Sequence, residues 1–168
     1  MRFKNYLTEN IKENIFIKKP KDCSIDELNR YVKLMSLYGD HSISKSDLKR
    51  ANLLGFYYKN DEIISLCAIK NPNKSYVIDI FDAANVSNTI NQEMGWALTL
   101  PNHRGKGYIT KLRHEILKQV KGKVFATTRD NNIGSQKTLE RQGFKQTGDL
   151  YKSLYGGNYY LRLYIRWD

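Results

Sequence analysis

Arg104, Gly105, Lys106 and Gly107 stand between an apolar run, Trp96-Ala-Leu-Thr-Leu100, closed by Pro101, and an amphipathic stretch that opens at Tyr108. A strand that turns through glycines into a helix is suited above all to binding phosphate. The amides of a helix's first turn have no partner within the helix, and the helix dipole is positive at that end. Glycines at 105 and 107 let an anion approach the main chain without meeting a side chain, and Arg104 and Lys106 add mobile positive charge. A Gly-x-Gly also builds plain strand-to-helix turns, so the surrounding elements decide what this one holds.

Those elements follow from periodicity. Asn14 to Lys19 reads as a strand stopped by Pro20. Ser24-Ile-Asp-Glu27 has the form of a capping box, with Cys23 and Leu28 in the staple positions. The helix it opens repeats Ile25, Leu28, Val32 and Met35, and Gly39 offers a left-handed stop. A short helix over Ser46 to Ala51 follows. Leu53 to Lys59 and Ile63 to Lys70 form a hairpin around Asn60-Asp61-Glu62, and Tyr76 to Phe81, rich in β-branched and aromatic residues, extends that meander. Ala84 to Gln92 is a polar loop, and Glu93 to Leu100 returns to strand before Pro101.

From Tyr108 onward Ile109, Leu112, Ile116, Leu117 and Val120 share one side of a helix, with Lys111, Arg113, Glu115 and Lys118 outside it and Gly122 at its end. Lys123 to Thr128 is a strand, and Asn132 or its neighbours cap a helix over Ile133 to Gln142 that Gly143 closes. Tyr151 to Leu154 and Tyr159 to Arg166 flank Gly156-Gly157 as a last hairpin, with Tyr160, Arg162, Tyr164 and Arg166 on one face of its second strand. There is no internal repeat. The order predicts an α/β (α+β) fold, with a mixed, mostly antiparallel twisted sheet of about six to seven strands flanked by about four helices. A chain of 168 residues suits a single domain over 1–168.

Composition narrows the classes. No apolar run nears the roughly 20 residues that cross a bilayer, and the charged N-terminus lacks a cleavable apolar segment, so a cytoplasmic location is expected. Cys23 and Cys67 read as free thiols, with no neighbouring His/Cys cluster to form a metal site. The net charge is +11, but Lys outnumbers Arg 19 to 9 and is scattered among Asn, Ile and Tyr. Part of that excess is therefore compositional rather than a phosphate-binding surface.

The second half of the pattern is Asn132-Ile-Gly-Ser-Gln-Lys-Thr-Leu-Glu-Arg-Gln-Gly-Phe144. Together with Leu-Pro-Asn-His-Arg-Gly-Lys-Gly, it resembles the GNAT superfamily of N-acetyltransferases, in wording most like ribosomal-protein and related N-terminal acetyltransferases. The resemblance is strongest from Glu93 to Phe144. A Rossmann domain fits poorly, because the spacing is not Gly-x-Gly-x-x-Gly and the bend lies late, behind a meander.

The resemblance implies acetyl-CoA as cofactor and two splayed strands with the pantetheine arm along the opened edge. Main-chain groups of Leu98, Thr99 and Leu100 would hold pantetheine, and one amide would polarise the thioester carbonyl. Amides from Gly105 through Lys106, Gly107, Tyr108 and Ile109 to Thr110 would hold pyrophosphate beside Arg104. Asn132 and Ser135 match positions that contact the pantetheine or adenosine side. A neutral amine attacks directly, so a base is required, and Glu93 is the leading candidate, acting through water. Asp79 and Asp82 are reserves, and His103 is a bystander. Leu139 stands where many relatives carry the tyrosine that protonates the leaving thiolate, which leaves Tyr151 or Tyr155 of the final hairpin, or water, as the acid. Ile109 stands where Gly or Ala is usual, and its branching would press the helix start away from the pyrophosphate.

The acceptor is a primary amine on a protein, or alternatively one linked to RNA, as in aminoacyl-tRNA. The face formed by Tyr160, Arg162, Tyr164 and Arg166 either stacks on RNA or lies under a helix or a partner subunit. Dimerisation through the C-terminal strand is a further expectation. A rival from another class is a catalytically silent domain of this fold that binds nucleic acid or protein.

Overall fold

The computed structural model describes residues 12–167. Its strands are β1 (Glu13–Lys18), β2 (Leu53–Lys59), β3 (Glu62–Lys70), β4 (Glu93–Thr99), β5 (Val124–Arg129), β6 (Phe144–Lys152) and β7 (Tyr160–Arg166). The helices are α1 (Ile25–Tyr38), α2 (Lys45–Lys49), α3 (Lys74–Ala83), α4 (Tyr108–Leu117) and α5 (Ile133–Arg141). The sheet order is β1-β2-β3-β4-β5-β7-β6, antiparallel throughout except where β4 lies parallel to β5. Among the described residues no helix is long and apolar enough to cross a membrane.

Local chemistry accounts for several boundaries. Ser24 Oγ accepts from the Glu27 amide at 3.1 Å while Glu27 Oε2 accepts from the Ser24 amide at 2.8 Å, the reciprocal box expected at the start of α1. Ser44 and Asp47 form a second box that starts α2. The β2–β3 hairpin turns through Asn60 and Asp61, both at positive φ, the conformation that matches the twist of paired strands.

Five expectations are corrected. Tyr76 to Phe81 is not a strand but most of α3, which buries Val77, Ile80 and Phe81 on one face. Gly39 caps α1 at φ −87 rather than left-handed, and α4 stops at Leu117, with Gly122 in the turn beyond it. The strand β6 starts directly after Gly143 and is longer than the Tyr151–Leu154 segment expected. The C-terminal strand β7 lies between β5 and β6, so its backbone is spent on both sides and it cannot extend the sheet into a second copy.

Helices cover both faces. On one, α1 and α2 pack over β2–β4 through Leu28, Tyr31, Met35, Leu48, Leu54 and Phe56, and α3 packs over β5–β7 through Ile80, Phe81, Phe125, Leu163 and Ile165. On the other, α4 and α5 pack through Leu112, Ile116, Leu139, Val124 and Ala126. Tyr164 belongs to that second core at 1% exposure, whereas Tyr160 at the start of the strand is 48% exposed, so the expected Tyr/Arg face lies only partly under helices.

Candidate active site

The two central strands barely touch. Glu93↔Phe125 is the one paired position between β4 and β5, beside a Phe125 amide to Gln92 carbonyl bond of 2.9 Å, and beyond it the strands diverge. Irregularity in β4 helps to open them. Trp96 and Ala97 together oppose Cys67 of β3, and Trp96 sits at φ +45, a conformation that costs an aromatic residue roughly 1–3 kcal/mol. The buried Tyr31 hydroxyl donates to the Trp96 carbonyl at 2.9 Å and holds this bulge from α1.

The result is a cavity of about 420 Å³ that passes through the sheet. It is bordered by Gly95, Trp96 and Ala97 of β4 and by Ala126 to Arg129 of β5, with Arg113, Leu139, Asn132 and Ser135 on the α4/α5 side and Tyr76, Glu93, Asp40 and Asp47 on the other. The stretch of β4 facing it thus lies before Leu98, Thr99 and Leu100. Those residues are largely engaged within the protein: the Leu98 carbonyl accepts from Ser65 Oγ, the Thr99 carbonyl from Arg104 Nε, and the Leu100 amide donates to the Ile64 carbonyl.

In the bend that leads into α4, Gly105 and Gly107 have φ of +74 and +80, and a Cβ built on either would meet nothing within 4 Å. Gly107 precedes α4 without a side-chain cap, so the first-turn amides are uncapped. Among the described residues no carboxylate pairs with Arg104 or Lys106. The helix start is pinned from behind. Tyr108 is buried edge-on against Tyr57, its hydroxyl accepting from Lys59 Nζ at 2.9 Å and donating to Glu13 Oε1 at 3.4 Å. His103 packs against the Tyr108 ring, and Ile109 packs into the core below α4. On the adjoining helix, Asn132 Oδ1 caps α5 by accepting from the Ser135 amide at 3.0 Å.

Glu93 is 3% exposed. Its Oε2 lies 2.6 Å from Lys70 Nζ, and its Oε1 accepts from the Tyr76 hydroxyl at 3.3 Å. Tyr151 is buried on the same side, where burial and then the Glu93 charge hold its phenol well above the ordinary value. Tyr155 is 61% exposed, stacks on Tyr76 and donates to Asp79 Oδ2 at 2.6 Å, a bond that pushes its phenol up. Asp82 is exposed.

Arg113 departs from the expected pattern of α4. It is not outside the helix but 8% exposed, borders the cavity, and makes no hydrogen bond or ion pair among the described residues, with Nε enclosed and unpartnered. Burial holds its guanidinium below the ordinary value. The signal was available in the spacing, since Ile109, Arg113, Leu117 and Val120 follow the buried stripe.

A slot between two diverging strands, beside a helix whose start is an open glycine bend, has the shape that suits an extended acyl carrier with an anionic end. The comparisons agree. Residues 23–145 match the model of the acetyltransferase (GNAT) domain, and the chain belongs to that family of N-acetyltransferases, which use acetyl-CoA. No curated protein matches the sequence. Among solved structures the fold is similar to the ribosomal-protein-S18-alanine N-acetyltransferase of Escherichia coli, with 11% identity, TM-score 0.64, and 91% of this chain and 93% of that chain covered. It is also similar to NAA60 of Arabidopsis thaliana in complex with a bisubstrate analogue, with 13% identity, TM-score 0.66, and coverage of 92% and 98%. A third is yncA of Salmonella typhimurium, solved with its cofactor acetyl-CoA, with 15% identity, TM-score 0.63, and coverage of 92% and 93%.

Proposed function

We propose that this N-acetyltransferase acetylates a primary amine on a protein, the amine attacking directly while both substrates are bound. The observation that carries the reading is the slot itself, lined from both faces of the sheet, with Arg113 of α4, the helix that the open bend starts, on one side and the Glu93 carboxylate on the other. Acetyl-CoA fits the residues present, because the bend is free of side chains and an unpaired guanidinium lies inside the slot. When bound, it supplies the acyl group as an activated thioester.

The amides from Gly105 to Thr110, with Arg104 and Lys106, bind the pyrophosphate, and Asn132 and Ser135 border its path. The β4 edge orients the thioester, and one of its amides donates to the carbonyl oxygen. Glu93 takes the proton from the acceptor ammonium. Arg113 provides positive charge where the departing sulfur becomes anionic, compensating for the apolar Leu139, and Tyr151 is the reserve proton donor. Tyr155 is committed to Asp79 and shapes the acceptor rim.

The rim on the acceptor side carries Asp40, Asp47 and Glu93; Glu93 is paired with Lys70 and Asp47 with Arg50, so Asp40 is the carboxylate there with no ion pair among the described residues that could meet a cationic acceptor. Burial of Tyr164 takes one of the two aromatic rings out of the face on which an RNA-linked acceptor would stack. The test is transfer of labelled acetyl groups in a lysate with and without RNase. Label in protein, unchanged by RNase, is expected. RNase-sensitive label would overturn the protein acceptor. No label, with no heat stabilisation by acetyl-CoA, would leave a silent module.

A further inference from the structure

Lys70 closes β3, and a strand-end lysine ordinarily reaches into solvent. Here its side chain is 16% exposed. The Nζ lies 2.6 Å from Glu93 Oε2, 5.4 Å from the centre of the Trp96 ring and 5.9 Å from that of Tyr76. Its methylenes cross β4 at Gly95, where a Cβ would stand 2.8 Å from Lys70 Cε and 3.1 Å from Nζ. The missing side chain at 95 is therefore what lets the amine lie against the carboxylate. A carboxylate flanked by aromatic faces is the chemistry that recognises an alkyl ammonium. Lys70, Glu93, Trp96 and Tyr76 all border the slot, so the seat a foreign amine would take is held by one of the protein's own.

We propose that Lys70 is itself an acetyl acceptor and that the enzyme acetylates it from acetyl-CoA; this rests on the acetyl-CoA reading above. Glu93 Oε2 takes one proton from the ammonium. The neutral Nζ forms a C–N bond to the thioester carbonyl carbon as the C–S bond breaks. The departing sulfur receives the second nitrogen proton to give the thiol, and Glu93 releases its own proton to water. An ammonium and a thioester become an amide, a thiol and one proton. The uncharged product no longer pairs with Glu93.

The full-length protein is incubated with acetyl-CoA alone, after calorimetry has established that acetyl-CoA binds, and its peptides are followed by mass spectrometry. The expected result is one acetyl group on Lys70, gained at the same first-order rate at high and low protein concentration and absent in Gly107→Glu. Binding without modification of Lys70, or modification no faster than at exposed Lys118, overturns the proposal and leaves the cofactor reading intact; failure to bind overturns both. A second readout needs no cofactor. Lys70→Gln lowers the melting temperature by several degrees, and Lys70→Gln/Glu93→Gln recovers most of that loss because the two groups face each other. Simple addition of the two single losses overturns the seat.

Discussion

The two faces of β4 hold their buried charges in opposite states. Toward α1 and α3, Glu93 meets Lys70 and Tyr76, and every charge has a partner. Toward α4 and α5, Arg113 is as deeply placed but has none among the described residues. A buried pair is self-sufficient, and breaking it is costly. An unpaired buried charge is a standing cost that an anionic ligand can offset. The proposed acceptor face is thus closed on itself, and the proposed cofactor face is incomplete.

Removing the anion seat breaks the contrast most severely. In Gly107→Glu a carboxylate enters the bend where pyrophosphate is to lie, on a backbone that a side chain occupies only with strain. Affinity for acetyl-CoA should fall about a hundredfold, roughly 2.7 kcal/mol, in calorimetry. An unchanged dissociation constant would remove the cofactor face from the account.

Glu93→Gln tests the other face, and the two should separate. The catalytic constant falls by about a hundredfold, the scale of a lost general base, while acetyl-CoA binds as before. A loss of cofactor affinity equal to the loss of rate would show that the two faces do not act separately. Arg113→Leu sharpens the comparison from the opposite direction. An unpaired charge replaced by an apolar side chain should stabilise the free protein by about 2 kcal/mol, which raises the melting point by roughly 2–4 °C for each kcal/mol. The stabilisation conferred by acetyl-CoA should shrink at the same time. A lower melting point in the free variant would mean that the guanidinium is already satisfied.

The parts legible in the sequence are those set by neighbours along the chain. The Ser24–Glu27 box, the Asn60-Asp61 turn and the Arg104–Gly107 bend are each decided within a few residues, and each is found. Features that depend on partners far along the chain were not legible. α3 carries a β-branched and aromatic run that favours strand, yet Val77, Ile80 and Phe81 recur at helical spacing and have Phe125 and Ile165 to cover. Lys70 and Glu93 meet only because β3 and β4 pair in a particular register, and the Trp96 bulge depends on Tyr31. The charge of Arg113 points to solvent while its position on the helix points inside, and position prevails.

The smallest expected effect concerns the thiol next to that arginine. Burial pushes Cys67 from 9.0 up to about 12, and the Arg113 charge acts against the rise. A thiol with a raised folded value stabilises the protein fully below the unfolded value, and this contribution is lost as pH rises toward the folded one. Between pH 9.0 and about 12, Cys67 should therefore contribute up to one proton, about 1.4 kcal/mol per pH unit, to the fall in stability. Cys67→Ala removes that share from the slope in chemical denaturation, whatever it does to the stability at neutral pH, because the buried tyrosines titrate alike in both proteins. In an Arg113→Leu background the thiol loses its one favourable charge, so its share of the slope should extend to higher pH. If the share of the slope that Cys67 removes ends at the same pH in both backgrounds, the guanidinium does not act on the thiol.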